Sequence, residues 1–414
     1  MTEIVLTQDQ NTAFNKFVTF LMDPVETVFV LEGYSGTGKS TLVKTLLDKL
    51  PGLMKTAKLI NPKYPDYKVE LTATTNKAAE NLAHITGSTA TTIHSFLGLQ
   101  VQTDYKTKTT KLVPRSAKGV ADTIIFIDEA SYIDSQLLDL IFKMTRNCKI
   151  VFMGDPAQLS PVGSSSTPVF KSKFTGAKLT QVVRQAEGNP IQELSTQFRE
   201  TVKTGEFFSF KPDGHHIQYM DRATFNEKIK EEFTRPDWRY SDSKILGWTN
   251  KCVISYNRLV SNSVTGSPNF QVGDYAICNS FITQGKKSIK TDQLVCITGI
   301  SEETVKYQTP GRYYSIDDYF NLFQPNSLEE RNKRIKIAKA SDDIYLLEAI
   351  DRDWVDLRAA YACTINKAQG STYDRVFIDL DDIKRCNSGD TLARMLYVAV
   401  SRARHQVFLT GDLI

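Results

Sequence analysis

A glycine-rich stretch near the start of the chain, Gly33-Tyr34-Ser35-Gly36-Thr37-Gly38-Lys39-Ser40-Thr41, has the residue types and spacing that bind nucleotide phosphates. Glycines let the backbone curl until its N–H groups point at phosphate oxygens, and a following helix adds its positive end. The lysine reaches the β- and γ-phosphates, and the serine hydroxyl can be a ligand for Mg²⁺. We therefore predict that the phosphates of a nucleotide are bound by Gly33, Gly36, Thr37, Gly38, Lys39, Ser40 and Thr41.

The residues on either side place this stretch between a strand and a helix. An apolar run rich in β-branched residues, 27–31, precedes it, and apolar residues at helical spacing follow over 42–47. The alternative is a glycine-rich turn that precedes a helix by chance. Strand, turn and helix in this order favour a true phosphate loop.

Two carboxylates, Asp128 and Glu129, end a second apolar run over 123–127. A continuously apolar run predicts a parallel strand buried on both faces, and ligands bind where such strands end. Alone, the pair could equally be solvated. Downstream of a phosphate loop, Asp128 is the expected Mg²⁺ ligand and Glu129 the residue that polarises the attacking water. Gln158 follows the strand predicted at 149–153 and could sense the γ-phosphate, although a simple Pro/Gly loop is the alternative.

Small polar residues follow two further strand ends. Thr74-Thr75-Asn76-Lys77 leads from a strand into a helix, and residues 91–95 repeat the pattern around His94. Hydroxyl, amide and backbone N–H groups at a helix N-terminus suit contacts to a phosphate backbone. Helix capping alone would explain these residues equally well.

Residues 99–113 predict a small hairpin, because two short alternating segments flank a polar turn. Strands this short bury little, so we expect the hairpin to do something other than build the core. Tyr105, next to the turn, could stack on a base pair at a duplex junction; the alternative is an ordinary surface tyrosine. Basic residues cluster in and after the hairpin, at Lys106, Lys108, Lys111, Arg115 and Lys118.

The composition is that of a soluble globular protein, and 414 residues predict two to four domains. No apolar run approaches the length that spans a bilayer, and the N-terminus does not resemble a signal peptide, so we expect a cytoplasmic protein without a membrane partner. The net charge of +4 permits nucleic-acid binding through local clusters without requiring it. The six cysteines are scattered, so we predict neither a disulfide nor a zinc site.

A second α/β pattern occupies the rest of the chain. Helices are predicted at 189–203, 221–234 and 251–262, and the pattern resumes near residue 360. Short alternating segments interrupt it over 268–340, which predicts a small β-barrel-like insertion.

Taken together, these segments resemble the ordered motif set of superfamily-1 helicases, over nearly the whole chain. Only 33 residues separate His94 from Asp128, too few for the large insertion of the Rep/UvrD type. Within the superfamily the chain therefore most resembles the compact RecD/Dda-type branch, especially its small phage members. The matching motifs are Gln10, the phosphate loop, 73–79, 92–95, Asp128-Glu129, 154–158, Arg184, 364–370 and 397–404.

The resemblance implies an α/β fold with two RecA-like domains that bind ATP between them. It also implies a β-hairpin insertion in the first domain and an SH3-like β-barrel insertion in the second. The predicted divisions are 1–90 and 118–185 for the first domain, 91–117 for the hairpin, 186–265 and 355–414 for the second domain, and 266–354 for the barrel.

The resemblance further implies the roles of single residues. Gln10 would contact the adenine, although from its position alone it could be a solvated helix glutamine. Ser40 and Asp128 would hold Mg²⁺. Arg184 and Arg402 would act as arginine fingers on the γ-phosphate. The catalytic residues would be Lys39, Glu129, Gln158, Arg184 and Arg402. The DNA contacts would be Thr74, Thr75, Asn76, Lys77, His94, Thr364, Asn366 and Lys367, with Tyr105 as the strand-separating pin.

Two positions depart from the family's pattern. Thr74 stands where proline is common, and Asn366 stands where histidine is common. Both lie on the implied nucleic-acid face, so the DNA contacts transfer less directly than the ATP chemistry.

The implied activity is that of an ATP-dependent helicase, phage-encoded and active in the host cytoplasm. It would move 5′ to 3′ along single-stranded DNA as a monomer and separate strands at single-strand/duplex junctions. A single-strand-binding or replication protein would be a further partner. One alternative is a translocase that displaces bound proteins without opening duplex, and another is a slow ATPase switch. Backbone contacts alone would not exclude an RNA track.

Overall fold

The structure is a computed structural model of an α/β protein built on parallel sheets with helices beside them. It describes residues 5–104, 109–160, 167–181, 188–284, 287–316 and 319–413. Within these ranges, no helix combines the length and apolar character needed to cross a membrane.

The first part of the chain alternates helices and strands. Its helices are α1 Gln8–Met22, α2 Lys39–Ile60, α3 Asn76–Thr86, α4 Ile93–Phe96, α5 Ser135–Met144 and α6 Pro168–Lys171, with a 3₁₀ turn at Ala130–Tyr132. Its strands are β1 Val28–Gly33, β2 Lys68–Ala73, β3 Thr91–Thr92, β4 Leu99–Asp104, β5 Thr109–Pro114, β6 Val120–Ala121, β7 Thr123–Asp128, β8 Thr145–Arg146, β9 Lys149–Gly154 and β10 Thr175–Leu179.

The second part repeats this alternation around a β-rich segment. Its helices are α7 Pro190–Thr204, α8 Arg222–Phe233, α9 Asn250–Thr265, α10 Leu328–Ala340, α11 Ile344–Asp353, α12 Ile365–Ala368, α13 Leu380–Ile383 and α14 Gly389–Val400. Its strands are β11 Ile217–Tyr219, β12 Ser243–Gly247, β13 Tyr275–Cys278, β14 Ile282–Gln284, β15 Lys287–Ile289, β16 Leu294–Ile300, β17 Thr304–Lys306, β18 Thr309–Ile316, β19 Tyr319–Pro325, β20 Leu357–Ala359, β21 Ala362–Thr364, β22 Tyr373–Asp379 and β23 Ala403–Thr410.

The first sheet is parallel, with the strand order β10-β1-β9-β7-β2-β3. Strand β7 shows that the sheet is buried on both faces. Ile124 and Phe126 pack into the core that contains α1 and α2, whereas Ile125 and Ile127 pack into the core that contains α5. Successive strand residues point to opposite faces, so a sheet covered on both faces needs the continuously apolar run that the sequence shows.

The second sheet is also parallel, with the strand order β11-β23-β22-β12-β21. It matches β1-β9-β7-β2-β3 of the first sheet strand by strand. When the five strands of each set are numbered by their order in the chain, both sets lie across the sheet in the order first, fifth, fourth, second, third. The carboxyl ends of β1, β7 and β2 therefore have counterparts at the ends of β11, β22 and β12.

The β-rich segment forms a third sheet that is antiparallel, in the order β17-β18-β16-β13-β20 with β19 paired to β18. The hairpin predicted at 99–113 is present as the antiparallel pair β4–β5, which forms a separate two-stranded sheet. Leu99 at its base is buried in the first-sheet core, and Val101 further out is exposed. Tyr105, the predicted pin, lies outside the described residues.

Two strands cross the divisions predicted from the sequence. β3 falls inside the range 91–117 predicted as an insertion, but it pairs with β2 of the first sheet. β20 lies beyond residue 354, where the barrel-like insertion was predicted to end, but it pairs with β13 of the third sheet. Both strands are short, two and three residues, and short strands lack the periodicity that marks an element in a sequence.

Candidate functional site

The glycine stretch forms a tight loop between β1 and α2 at the carboxyl end of the first sheet. Gly36 and Gly38 have φ angles of 82° and 76°, in the left-handed region that favours glycine. A Cβ on Gly33 would come within 2.8 Å of the side chains of Lys39 and Thr37. The loop can therefore form only with glycine at these positions, and it leaves a cradle of the kind that holds phosphate.

The lysine and hydroxyls of the loop lie at the start of α2. Lys39 Nζ donates to the backbone carbonyls of Gly33 and Tyr34 at 2.5 and 3.1 Å. The buried Thr37 hydroxyl donates to Tyr34 O at 2.8 Å, which closes the loop on itself. Ser40 and Thr41 are half-buried in the first turn of the helix.

Gln10 lies against the loop from α1. Thr7 and Gln10 form a capping box, in which Thr7 N donates to Gln10 Oε1 at 3.0 Å. Gln10 Nε2 donates to Thr37 O at 3.1 Å and is 3.5 Å from Gly38 O. The side chain is buried, so the solvated-glutamine alternative is wrong. Contact with adenine stays a prediction.

The two carboxylates follow β7, between β9 and β2 in the sheet. Glu129 has a φ of 55°, an unusual conformation for a residue with a side chain, and its N–H donates to Asp128 Oδ1 at 2.9 Å. Burial, together with the neighbouring Glu129, raises the pKa of Asp128 to about 7, and the Lys39 ammonium opposes this rise. A half-buried carboxylate near a phosphate-loop lysine suits a divalent cation, whose charge would favour the ionised form of Asp128.

These groups fit a nucleoside triphosphate with Mg²⁺. Mg²⁺ usually takes one or two protein ligands, with phosphate oxygens and waters filling its octahedron, and a serine hydroxyl with one carboxylate is such a set. No cluster of three or more His, Cys, Asp or Glu side chains suited to a metal exists among the described residues. The donor set therefore favours a cation bound together with phosphate rather than an all-protein metal cage.

The loop after β9, residues 155–159, connects the first sheet to the second. Ala157 and Leu159 are buried in the hydrophobic core of the second sheet, beside α14. Arg394 of α14 donates to the backbone carbonyls of Pro156 and Gln158 at 2.6 and 2.8 Å. Gln158, the predicted γ-phosphate sensor, is therefore held by both sheets at once.

Three further side chains, from helices and a loop beside the second sheet, contact residues of the first part of the chain. Tyr397 donates its hydroxyl to the Asp155 carboxylate and accepts from Ser35 N of the phosphate loop at 3.3 Å. Gln369 Nε2 lies 3.1 Å from Glu129 Oε2. Arg199 of α7 stacks on the Tyr34 ring, 3.5 Å from its centroid. These contacts define the junction between the sheets, and no pattern in the sequence predicts the pairing of Arg199 with Tyr34.

Of the two predicted arginine fingers, the structure describes only Arg402. Arg402 is buried beside this junction, and its nitrogens donate to Val398 O, Ser371 O and Ser401 Oγ at 2.9 to 3.1 Å. Its contacts are thus within its own half of the chain. Arg184 lies outside the described residues.

The predicted DNA contacts gather at helix N-termini next to the junction. Thr75, Thr92 and Thr364 are the N-caps of α3, α4 and α12, which follow β2, β3 and β21. Thr74 lies one residue earlier, and its hydroxyl donates to Glu129 O at 3.0 Å. The candidate nucleic-acid face is therefore adjacent, in the first sheet, to the loop of Asp128 and Glu129, called the catalytic loop here after the role predicted for Glu129.

The polar side chains around these caps have partners in other parts of the chain. Asn76 Nδ2 donates to Thr291 O in the β-rich segment at 3.2 Å, and the carbonyl of Asn366 accepts from Tyr132 Oη at 2.9 Å. Lys367 Nζ contacts Asp292 and Asn279. Lys77 is exposed, and its Nζ lies 3.8 Å from the Glu80 carboxylate. Burial lowers the pKa of His94, and the negative charge of Asp134 opposes this shift.

The start of α9 has the same capping pattern, and it is not among the DNA contacts predicted from the sequence. Thr249-Asn250-Lys251 at the start of α9 repeats the Thr-Asn-Lys order of residues 75–77, and Thr249 is an N-cap. This repeated order of residue types is the sequence signal that could have identified the start of α9. Its N-terminus differs in one respect, because Asp382 accepts from the backbone N–H groups of Trp248 and Thr249 at 2.7 and 2.8 Å.

Comparison with known proteins agrees with this architecture. The family model described as AAA domain matches residues 5–222, more than half of the chain, and the UvrD-like helicase C-terminal domain model matches residues 359–410. The ATP-dependent DNA helicase dda of Enterobacteria phage T4 is 26% identical, and the alignment covers 97% of this chain and 98% of that protein.

Two other similarities extend over most of the chain. The RecBCD enzyme subunit RecD of Buchnera aphidicola subsp. Acyrthosiphon pisum is 30% identical, with 97% of this chain and 73% of that protein aligned. A solved Pif1 helicase from Bacteroides, in complex with ADP-AlF3 and ssDNA, shares the fold with a TM-score of 0.51 at 15% identity, covering 100% of this chain and 94% of that one. The chain therefore belongs to the superfamily-1 helicases of the RecD/Dda/Pif1 branch, and it is an ATP-dependent DNA helicase.

Proposed function

We propose that this helicase moves 5′ to 3′ along single-stranded DNA and couples each ATP hydrolysis at the junction to a change in how the two sheets meet. The observation that carries the proposal is the set of contacts between the phosphate loop, the catalytic loop and the second sheet. Tyr397 reaches Ser35, and Gln369 reaches Glu129. A change at the phosphates therefore acts directly on side chains of both sheets. The direction is the one that the family resemblance implies.

The binding roles follow from the chemistry of the loop. Backbone N–H groups of 36–40 and the Lys39 ammonium bind the phosphates, and Gln10 is placed to contact the base beside the loop. Ser40 and Asp128 would hold Mg²⁺, which would supply positive charge beside the phosphates. Asp128 must be ionised for this, which the nearby Lys39 favours.

The catalytic roles rest on Glu129, Gln158 and the arginines. Glu129 takes a proton from the attacking water, while Gln158 orients that water and the γ-phosphate. Arg402 and Arg184 stabilise the charge that develops on the transferred phosphoryl group. For Arg402 this requires one of its present contacts, to Val398 O, Ser371 O or Ser401 Oγ, to be exchanged for phosphate.

The DNA track in this proposal runs over the N-termini of α3, α4 and α12. Backbone N–H groups and the hydroxyls of the capping threonines contact phosphates, so base sequence has little effect on affinity. The track includes Thr74 to Lys77, His94, and the segment from Thr364 to Lys367. Its two parts lie on different sheets, so closing and opening the junction moves one part relative to the other.

We also propose the domain division that this mechanism needs. The first motor domain is built on the first sheet and the second on the second sheet, with the β-rich segment as an SH3-like barrel inserted in the latter. The β4–β5 hairpin is the wedge at the duplex junction, and Tyr105 is the strand-separating residue that the sequence predicts. We expect one chain to carry out the whole cycle, on single-stranded DNA and junctions.

The test measures ATPase activity with and without a dT oligonucleotide, together with unwinding of duplexes that carry a 5′ or a 3′ single-stranded tail. We expect stimulation by the oligonucleotide and unwinding from the 5′ tail. Displacement of a bound protein without strand separation would favour the translocase alternative. An ATPase rate that does not respond to DNA would contradict the proposal and favour a switch.

A further inference from the structure

The segment that joins β21 to β22, residues 364–372, is held against the first sheet by side chains of that sheet. Asn81 Nδ2 donates to Gly370 O at 2.5 Å, and Tyr132 Oη donates to Asn366 O at 2.9 Å. The segment thus contacts α3 and the 3₁₀ turn after the catalytic loop, although it belongs to the second sheet. It also begins with Thr364, one of the proposed DNA contacts.

Gln369 lies in the middle of this segment and is buried. Its Nε2 is 2.7 Å from Gln158 Oε1, 3.1 Å from Glu129 Oε2 and 3.2 Å from Ser131 Oγ. An amide NH₂ has two hydrogens, so these acceptors share them. One side chain of the second sheet is therefore bonded to both residues that the proposed mechanism uses to orient the attacking water.

The other end of the same amide has no partner. Gln369 Oε1 is buried and has no hydrogen-bond partner among the described residues, and Gln192 Oε1 on α7 is unpaired in the same way. The three contacts of Nε2 therefore single out Gln369, because they join the second half of the chain to Glu129, Ser131 and Gln158.

We propose that Gln369 is a positioning residue through which DNA binding regulates ATP hydrolysis. It holds the Glu129 carboxylate and the Gln158 amide in their productive orientation only while the 364–370 segment is docked on the first sheet. The inference rests on the proposed function, in which Glu129 polarises the water and Thr364 to Lys367 contact the strand. Gln369 acts through Glu129 and Gln158.

The short path from DNA to carboxylate gives the proposal its physical basis. Helix α12 is a single turn, Ile365–Ala368, so a strand bound at its N-terminus lies one turn from Gln369. A shift of the turn changes the distance between Nε2 and the Glu129 carboxylate directly. Arg402 donates to Ser371 O at 3.1 Å, so the same segment also holds the arginine beside the junction.

The test uses the full chain and compares Gln369→Ala with Asn81→Ala. Both variants remove a contact between the segment and the first sheet, but only the former touches Glu129. We expect Gln369→Ala to lower the DNA-stimulated kcat by about 10²-fold, the order of loss that a misplaced catalytic group produces. ATP KM and the affinity for a fluorescent dT oligonucleotide should stay within about threefold. Asn81→Ala should keep kcat within about fivefold of the unsubstituted protein, because Tyr132 still holds the segment on the first sheet and no group near the water is displaced.

Gln369→Met is the second variant, in case alanine impairs folding. Methionine has nearly the length of glutamine and adds no buried charge, but its thioether cannot donate to Glu129 or Gln158. We expect a loss of kcat as large as for alanine, with thermal unfolding shifted little. A Gln369→Met variant that folds and turns over normally would overturn the inference.

A double-mutant cycle separates positioning from general loosening. If Gln369 acts through Glu129, adding Gln369→Ala to Glu129→Gln should lower the residual rate by no more than about threefold, because groups that act as a unit are not additive. Full additivity, or equal losses in Gln369→Ala and Asn81→Ala, would contradict the proposal. If DNA fails to stimulate even the unsubstituted protein, the proposed function fails. If it stimulates that protein and Gln369→Ala equally, only this inference fails.

Discussion

The two parallel sheets share one strand order, but they differ at the end of their first strand. In the first sheet, β1 leads through a glycine loop to Lys39, which donates to uncharged loop carbonyls. In the second sheet, β11 is followed after one residue by Asp221, the N-cap of α8, and then by Arg222. No glycine lies between strand and helix there, so no phosphate cradle forms.

The carboxylates that follow the fourth strand show the same contrast. Asp128 ends β7, and Asp379 ends the matching strand β22. Arg222 donates to the two oxygens of Asp379 at 2.6 and 2.8 Å and to Asp381 at 2.7 Å. The second sheet therefore neutralises its own carboxylate with a bidentate internal pair, which is stronger than a contact to a neutral carbonyl.

This difference teaches what turns a RecA-like sheet into a nucleotide site. In both sheets the topology places a cation after the first strand in chain order and a carboxylate at the end of the fourth, with one strand between them. Only the first leaves the cation on neutral partners beside a glycine cradle, where a phosphate can replace those partners. The second sheet is closed internally, and in the proposed mechanism it contributes Arg402 to the nucleotide bound by the first.

The largest effect should come from Lys39→Ala, since it removes the cation from the open site. We expect DNA-stimulated ATPase to fall by about 10³-fold, in the range for loss of a preorganised charge on a reacting phosphate or oxyanion. Steady-state phosphate release with saturating dT oligonucleotide checks this. Retention of near-normal turnover would show that the nucleotide binds elsewhere.

The matched variant at the closed site is Arg222→Ala. We expect ATPase within about threefold of normal in folded protein, but a free energy of unfolding lower by about 2 kcal/mol, because Asp379 is buried and loses its partner while Arg222 itself is partly exposed. Urea denaturation measures the change. A catalytic loss comparable to that of Lys39→Ala would refute the division into an open and a closed site.

Arg402→Ala tests whether the second sheet acts on the transition state. We expect kcat to fall by about 10²-fold with little change in ATP KM, as for an interaction that strengthens when charge moves. A rise in KM with kcat maintained would mean that Arg402 binds ground-state nucleotide. Initial rates over a range of ATP concentrations distinguish these results.

A smaller effect separates two threonine caps that follow matching strands. Thr75 caps α3 by accepting from Ala78 N, whereas Thr249 also donates to Asp382 Oδ1 at 2.6 Å. Thr75→Ala should lower the free energy of unfolding by about 1 kcal/mol, the usual value for a lost cap. Thr249→Ala should cost about 2 kcal/mol, since a buried carboxylate also loses a donor. Equal costs in urea denaturation would mean that Asp382 does not depend on Thr249.

The smallest effect concerns the lysines of the repeated Thr-Asn-Lys order, Lys77 and Lys251. Lys77→Ala should reduce the slope of log affinity for single-stranded DNA against log salt by about 0.7, the value for one phosphate contact on a single strand. Lys251→Ala should leave the slope unchanged, because Asp382 occupies the N-terminus of α9. Fluorescence anisotropy over a salt series measures both. Equal slopes in the two variants would show that α9 belongs to the DNA track.

Much of the site follows from local sequence. The glycine loop, the buried strand with its two carboxylates and the threonine caps depend on residues that are adjacent in the chain. Backbone conformation and capping are decided over a few residues, so short patterns identify them. The predicted helices at 189–203, 221–234 and 251–262 appear as Pro190–Thr204, Arg222–Phe233 and Asn250–Thr265 for the same reason.

The tertiary structure alone decided which of these local features meet. Gln369 and Glu129 are 240 residues apart, and Arg222 and Asp379 are 157 apart. The Thr-Asn-Lys order reads alike at 75–77 and 249–251, but only the second lies beside Asp382. Such contacts depend on strand order and on how two sheets pack, which no local pattern encodes. The sequence by itself determined a phosphate loop and a helicase family, whereas the fold decided that the first sheet leaves Lys39 on neutral carbonyls and that Arg222 pairs with Asp379 in the second.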